Sequence, residues 1–209
     1  MCGWENSFST DMRTFDIMWI RIQANHRFLP TRNLRYDHTT ESSKGNYLML
    51  TIIKGKNDQL ALLKSPMIRR VTRHICFRMF YFALANSPNT TALKIKFVDL
   101  TRASKQTFFE DALKASDDHL SWLQYEHNIG NLPIEYAFEI HYDQQSLISD
   151  IGIDDISVIH GTCNGSEIIT TTTQEPDTEK VLDCEFEPHK TCSWNFSTST
   201  WKLTNYKQG

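Results

Sequence analysis

Apolar and polar residues alternate with a period of two over several stretches. In ALKIKFVDL (Ala92–Leu100), Leu93, Ile95 and Phe97 fall on one side and Lys94 and Lys96 on the other, as in an antiparallel strand with one solvated face. IEYAFEIHYD (Ile134–Asp143) sets Phe138 and Ile140 against Glu139 and His141. YLMLTII (Tyr47–Ile53), ICFRMFYFAL (Ile75–Leu84) and SDIGIDDISVI (Ser149–Ile159) are further strand candidates, and HTTESSKGN, KGKND, NSPNTT and YDQQSL separate them as turns. Many strands without alternating helices predict an all-β fold, a sandwich or jelly roll of antiparallel strands. One segment departs. KQTFFEDALKASDDHL (Lys105–Leu120) has helical spacing at Phe108, Phe109, Ala112 and Leu113, which predicts a short helix in a connection.

The length of 209 residues allows one full domain, or one domain and a fragment. Composition, 40% hydrophobic and 22% charged, is that of a folded chain. A net charge of −3 lacks the basic excess of a nucleic-acid binder. The opening MCGWENSFSTDMR has neither the basic nor the apolar region of a signal peptide. Other features point outside the cell, so the chain reads as a piece of a longer protein.

Five cysteines are present: Cys2, Cys76, Cys163, Cys184 and Cys192. No C-x-x-C pair occurs and the histidines are scattered, which argues against a structural zinc site. CSWNFSTSTWKL near the end echoes CGWENSFSTDMRTFDIMWI at the start. In the later copy Cys184 stands eight residues before Cys192, while nothing in the sequence stands that far before Cys2. Cys2 is therefore expected to be an unpaired half-cystine whose partner lies upstream of this sequence. The expected bonds are Cys184–Cys192, closing a short loop at about 2–3 kcal/mol, and Cys76–Cys163, at about 4–5 kcal/mol. The alternative for Cys76 is a buried free thiol, since ICF lies in an apolar run.

Three N-x-[ST] sequons, at Asn89, Asn164 and Asn195, fall in or beside expected turns and suit glycosylation in an extracellular protein. After Cys163 the composition shifts to NGSEIITTTTQEPDTEK, which reads as an extended linker. The organisation expected is a domain at 1–163, a Thr-rich linker at 164–183, and the truncated start of a second domain at 184–209.

These pieces, in this order, resemble the MAM domain, named for meprin, neuropilin and the receptor tyrosine phosphatase mu. CGW (Cys2–Trp4) looks like the family's second cysteine and tryptophan, and YDHTTESSKGNYLML (Tyr36–Leu50) like its D-H-T…G-x-Y segment. LLKSPMI (Leu62–Ile68) resembles its S-P element, CFRMFYFAL (Cys76–Leu84) its third cysteine with aromatics, and DIGIDDISVIHGTC (Asp150–Cys163) its closing I-D-D-I…C signature. CEFEPHKTCSW (Cys184–Trp194) looks like the opening of another copy. The resemblance implies a jelly-roll sandwich lacking its first strand, followed by a linker and the start of a second MAM domain. It implies a non-catalytic extracellular recognition or adhesion module of a tandem, membrane-anchored or secreted glycoprotein. Other extracellular proteins would be its partners, homophilic contacts included, with no nucleic acid. The alternatives are an accessory oligomerisation or substrate domain of an ectoenzyme such as a meprin-like metalloprotease, and a glycan-binding sandwich.

Asp154 and Asp155 lie inside the last strand candidate. The apolar phase runs 151, 153, then 156, 158. A slip of one residue implies either a bulge at the pair or a strand buried on both faces, and one inward carboxylate that needs a partner. Some relatives carry a structural cation, and Asp37 with Asp155 could supply oxygens to Ca2+ or Na+. The other reading is that backbone donors and Thr39 satisfy the acid and fix a corner. No cofactor is otherwise required. Catalysis is not expected: there is no G-x-S-x-G or H-E-x-x-H, and adjacent strand acids face opposite ways. Trp4, Trp19 and Trp122 have apolar neighbours and are expected in the core.

Overall fold

The computed structural model describes residues 5–7, 17–26, 34–52, 60–85, 90–115, 121–143, 148–164 and 180–187. These form two six-stranded antiparallel sheets packed as a jelly-roll sandwich. The first sheet holds β1 (Glu5–Ser7), β4 (Leu60–Lys64), β10 (Glu135–Asp143), β7 (Thr91–Asp99) and β8 (Gln106–Lys114) in that order, with β5 (Ile68–Arg69) also on β10. The second holds β2 (Ile17–Gln23), β3 (Asn46–Ile52), β11 (Ile148–His160), β6 (Ile75–Ala85) and β9 (Leu123–Ile129), with β12 (Lys180–Cys184) also on β11.

Period-two alternation builds the core. Leu93, Ile95 and Phe97 of β7 are buried, as the sequence pattern requires, and so are Phe138 and Ile140 of β10. They meet Phe77, Met79, Ile151 and Ile153 from the facing sheet in one apolar cluster. Phe77 packs edge-on against Phe97 and Phe138, with ring centroids 5.5 and 4.9 Å apart. Trp19 is in this core. A second, smaller cluster joins Tyr47, Met49 and Phe82, with Trp122 packed half-buried against it. Trp4 lies outside the described residues.

The short helix expected at Lys105–Leu120 is not formed over residues 106–114. That stretch is β8, paired with β7. The register shifts between Phe97 and Val98, and a shift of this kind breaks simple alternation. Neighbouring Phe108 and Phe109 can then both meet Phe97, at 6.0 and 5.8 Å between centroids. Two adjacent phenylalanines imitate a helical face in sequence but share one aromatic partner across the sheet.

Candidate functional site

β11 changes neighbours halfway along one edge. Gly152 and Ile153 pair with Met49 and Leu48 of β3, whereas Ile156 to Ile159 pair with β12. On its other edge, pairing with β6 jumps from Asp154 to Ser157. The phase slip is thus a bulge, and Asp155 takes a left-handed backbone there, φ 46°. Its effect is to keep Ile151, Ile153, Ile156 and Val158 all in the main core, two on each side of the slip.

The buried carboxylate is not directed into that core. Asp154 follows Ile153 on the opposite face of the strand, and it is 0% exposed because residues 36–42 close over it. His38 N–H donates to Asp154 Oδ2 at 2.9 Å, and Asp155 N–H donates to Asp154 Oδ1 at 3.0 Å. Asp155 Oδ1 accepts from Thr39 Oγ1 at 2.6 Å, and its Oδ2 lies 2.5 Å from His38 Nδ1. The His38 ring stacks on Phe80, with centroids 3.4 Å apart. Trp122 Nε1 donates to Tyr36 O at 3.2 Å. Asp37 ties the loop to itself, accepting from Thr40 N–H, Thr40 Oγ1 and Ser42 N–H at 2.7–2.9 Å.

Gly45 is needed beneath this loop. A Cβ there would fall 2.1 Å from Asp37 Cγ. β12 is joined to the same region: Glu187 Oε1 accepts from Asn46 N–H at 2.8 Å, at the start of β3. The end of β12 and the start of β3 thus meet at the bulge.

Burial of the Asp154 carboxyl, with the charge of Asp155 second, pushes its pKa up to about 8, against the opposing pull of the His38 and Asp155 N–H groups. Burial likewise raises the Tyr47 hydroxyl pKa, and that hydroxyl donates to Leu34 O at 3.0 Å.

A hard cation needs several convergent oxygens. Both oxygens of Asp37 and both of Asp155 already accept from protein donors. The carboxylates of Asp37, Asp154 and Asp155 do not gather as a ligand group among the described residues. Cys76, Glu126 and Cys163 do come together, but both sulfurs are in a disulfide. In this arrangement the aspartates form a hydrogen-bonded clamp.

Cys76 and Cys163 are bonded, with Cα atoms 4.8 Å apart across 87 residues. The free-thiol alternative for Cys76 is thereby set aside. Cys163 N–H also donates to Asn128 Oδ1 at 2.6 Å, so β6, β9 and the turn after β11 are tied at one point. Cys184 is disulfide-bonded as well. Cys2 and Cys192 lie outside the described residues, as do the sequons at Asn89 and Asn195. Asn164 is exposed in a turn beside Cys163.

Sequence reading placed Asp37, Thr39 and the Asp154–Asp155 pair in this region, but missed His38 as the partner of Asp155. Its place in the D-H-T triplet was the available signal. It also missed Glu187 against Asn46, 141 residues away, for which the sequence carries no signal.

Comparison with solved structures finds distant likenesses. The CBM22-1 xylan-binding domain from Paenibacillus barcinonensis aligns at 10% identity and TM-score 0.45, covering 75% of this chain and 84% of that one. The K1 cleaved adhesin domain of Lys-gingipain from Porphyromonas gingivalis aligns at 11% and 0.44, covering 75% and 89%. An arabinose-bound GH51 α-L-arabinofuranosidase aligns at 11% and 0.48; the match covers 75% of this chain but only 23% of the enzyme. The family model for the MAM domain, meprin/A5/mu, matches residues 1–164. That span includes the D-H-T loop, the bulged I-D-D-I strand and both cysteines of the Cys76–Cys163 bond, and the chain belongs to the MAM domain family.

Proposed function

We propose that this chain is a non-catalytic extracellular recognition and adhesion module, part of a tandem MAM-domain glycoprotein that is membrane-anchored or secreted. The observation that carries the reading is a MAM sandwich held by a disulfide, Cys76–Cys163. Such a bond persists in oxidising compartments. The acids that would draw attention as catalytic groups are engaged in holding a loop, since Asp154 accepts from His38 N–H and Asp155 meets the His38 ring and accepts from Thr39 Oγ1. Asn89, Asn164 and Asn195 would carry glycans. Among the described residues no helix is long and apolar enough to cross a membrane. Its partners are other extracellular proteins, copies of the same domain among them.

The test is secretion of the chain, disulfide mapping, and coating on beads. Glycosylated material with Cys76–Cys163 intact that clusters beads, or binds a cell surface saturably, is expected. Folded material with that pair reduced, or beads that stay dispersed and bind no surface, would overturn the reading.

A further inference from the structure

β12 and the edge of β11 that it fills form a separable donor–acceptor pair. Its pairing with Ile156–Ile159 leaves β3 only Gly152 and Ile153 of that edge. The segment places Cys184 and Phe186 in the main core, 0% and 7% exposed, and Glu187 against Asn46. The groove thus holds it by strand pairing, by burial of Cys184 and Phe186, and by the Glu187–Asn46 hydrogen bond.

That leading chain is long. Fifteen residues, GSEIITTTTQEPDTE (165–179), separate the end of the β11 turn from β12. Fully extended they reach about 50 Å. Neighbouring strands stand only about 4.8 Å apart, so docking onto its own domain uses a small part of that reach. A connection this long and this polar is a linker in composition and exceeds what adjacent strands need.

We propose that the β11 edge also takes Lys180–Glu187 from a second copy of this chain, in a reciprocal strand exchange. The groove is already shaped for this occupant, because the same sequence sits in it. Exchange preserves each strand pair and each buried side chain, so only the cost of association opposes it. The chain's own strand competes at an effective concentration on the order of mM. Exchange should therefore grow towards that range, or where copies are crowded on one surface. The inference rests on the reading of the chain as a contact-forming module and gives that contact a structure.

Ser157 and Asp183 are register partners across the β11–β12 ladder, which allows a direct test on the full chain. One tagged version carries Ser157→Cys and a differently tagged version carries Asp183→Cys. They are co-secreted, so that exchange can precede closure of the Cys184 disulfide. The expected result is a covalent dimer carrying both tags, reducible to monomer, with a share that rises as expression increases. A single chain carrying both substitutions should close within itself. Closure there without any two-tag dimer would overturn the exchange. Failure of the double variant to close would overturn the docked strand on which the exchange depends. Two-tag dimers with dispersed beads count against the adhesion reading alone; clustered beads without two-tag dimers count against the exchange alone.

Discussion

Replacing Asp154 by asparagine tests whether burial under the 36–42 loop keeps this carboxyl neutral. Its pKa stands near 8 in the folded chain, against 3.8 for an unperturbed aspartate. Between those values the folded state holds a proton that the unfolded state has released. Stability therefore falls as pH rises through about 4 to 8, the opposite of a salt-bridged aspartate. Four pH units at about 1.4 kcal/mol each set a ceiling of about 6 kcal/mol, and water entry into the ionised site reduces it to about 2–3 kcal/mol. Asparagine cannot ionise, but it keeps one acceptor oxygen where Asp154 uses two, for His38 N–H and Asp155 N–H. Losing one of those bonds costs about 1 kcal/mol. The variant is thus expected to be about 1 kcal/mol less stable than the parent at pH 3, below the unfolded pKa, and more stable than it at pH 8.5. Urea unfolding with disulfides intact, followed by the fluorescence of core Trp19, reads the difference. Equal destabilisation at both pH values would refute the argument. A rise in parental stability with calcium, erased by chelator, would refute the clamp geometry, because a bound cation would hold Asp154 ionised.

Further outcomes follow from the same geometry. Gly45→Ala drives a methyl into the Asp37 carboxylate and should cost about 1–3 kcal/mol, seen as a lowered thermal midpoint without loss of the Cys76–Cys163 bond. Removing that bond with Cys76→Ala and Cys163→Ala together should cost about 2–5 kcal/mol and cut secreted yield, measured by denaturant midpoint and by expression. Phe186→Ala should cost about 3–5 kcal/mol, because the ring belongs to the main core; an unchanged midpoint would mean that the 180–187 segment does not dock.

The long strands were legible because one face of each is apolar: β3, β6, β7, β10 and β11 lie within a residue or two of their expected limits. β9 was not, since LQYEHNI is only partly buried at a sheet edge on β6 and carries no alternation. β8 was misread because a register shift, invisible in one strand's own sequence, allows adjacent phenylalanines to share Phe97. The bulge was legible as a phase slip. Its lid was only half legible, because Asp37, His38 and Thr39 lie more than a hundred residues from the acids they cover. β12 shows the same limit from the other side. Its sequence reads as the opening of another copy, and local pattern cannot say which sheet such a strand will join.

Two acids in a β-branched run make sense only when the edge of β11 is considered as a whole. The strand serves β3 before the bulge and β12 after it, and a regular ladder offers no place for that handover. A bulge supplies one, at the cost of turning a residue into a left-handed backbone. It also leaves room for a loop that brings N–H groups needing acceptors. Apolar residues at 154 and 155 could continue the core but could not accept from His38 N–H or Thr39 Oγ1. The two carboxylates do so from neighbouring positions, closing the loop over the seam while Glu187 holds the start of β3 to the end of β12. The acids are thus part of what allows one strand edge to hold two partners, and the second of those partners is the one at the end of a long linker.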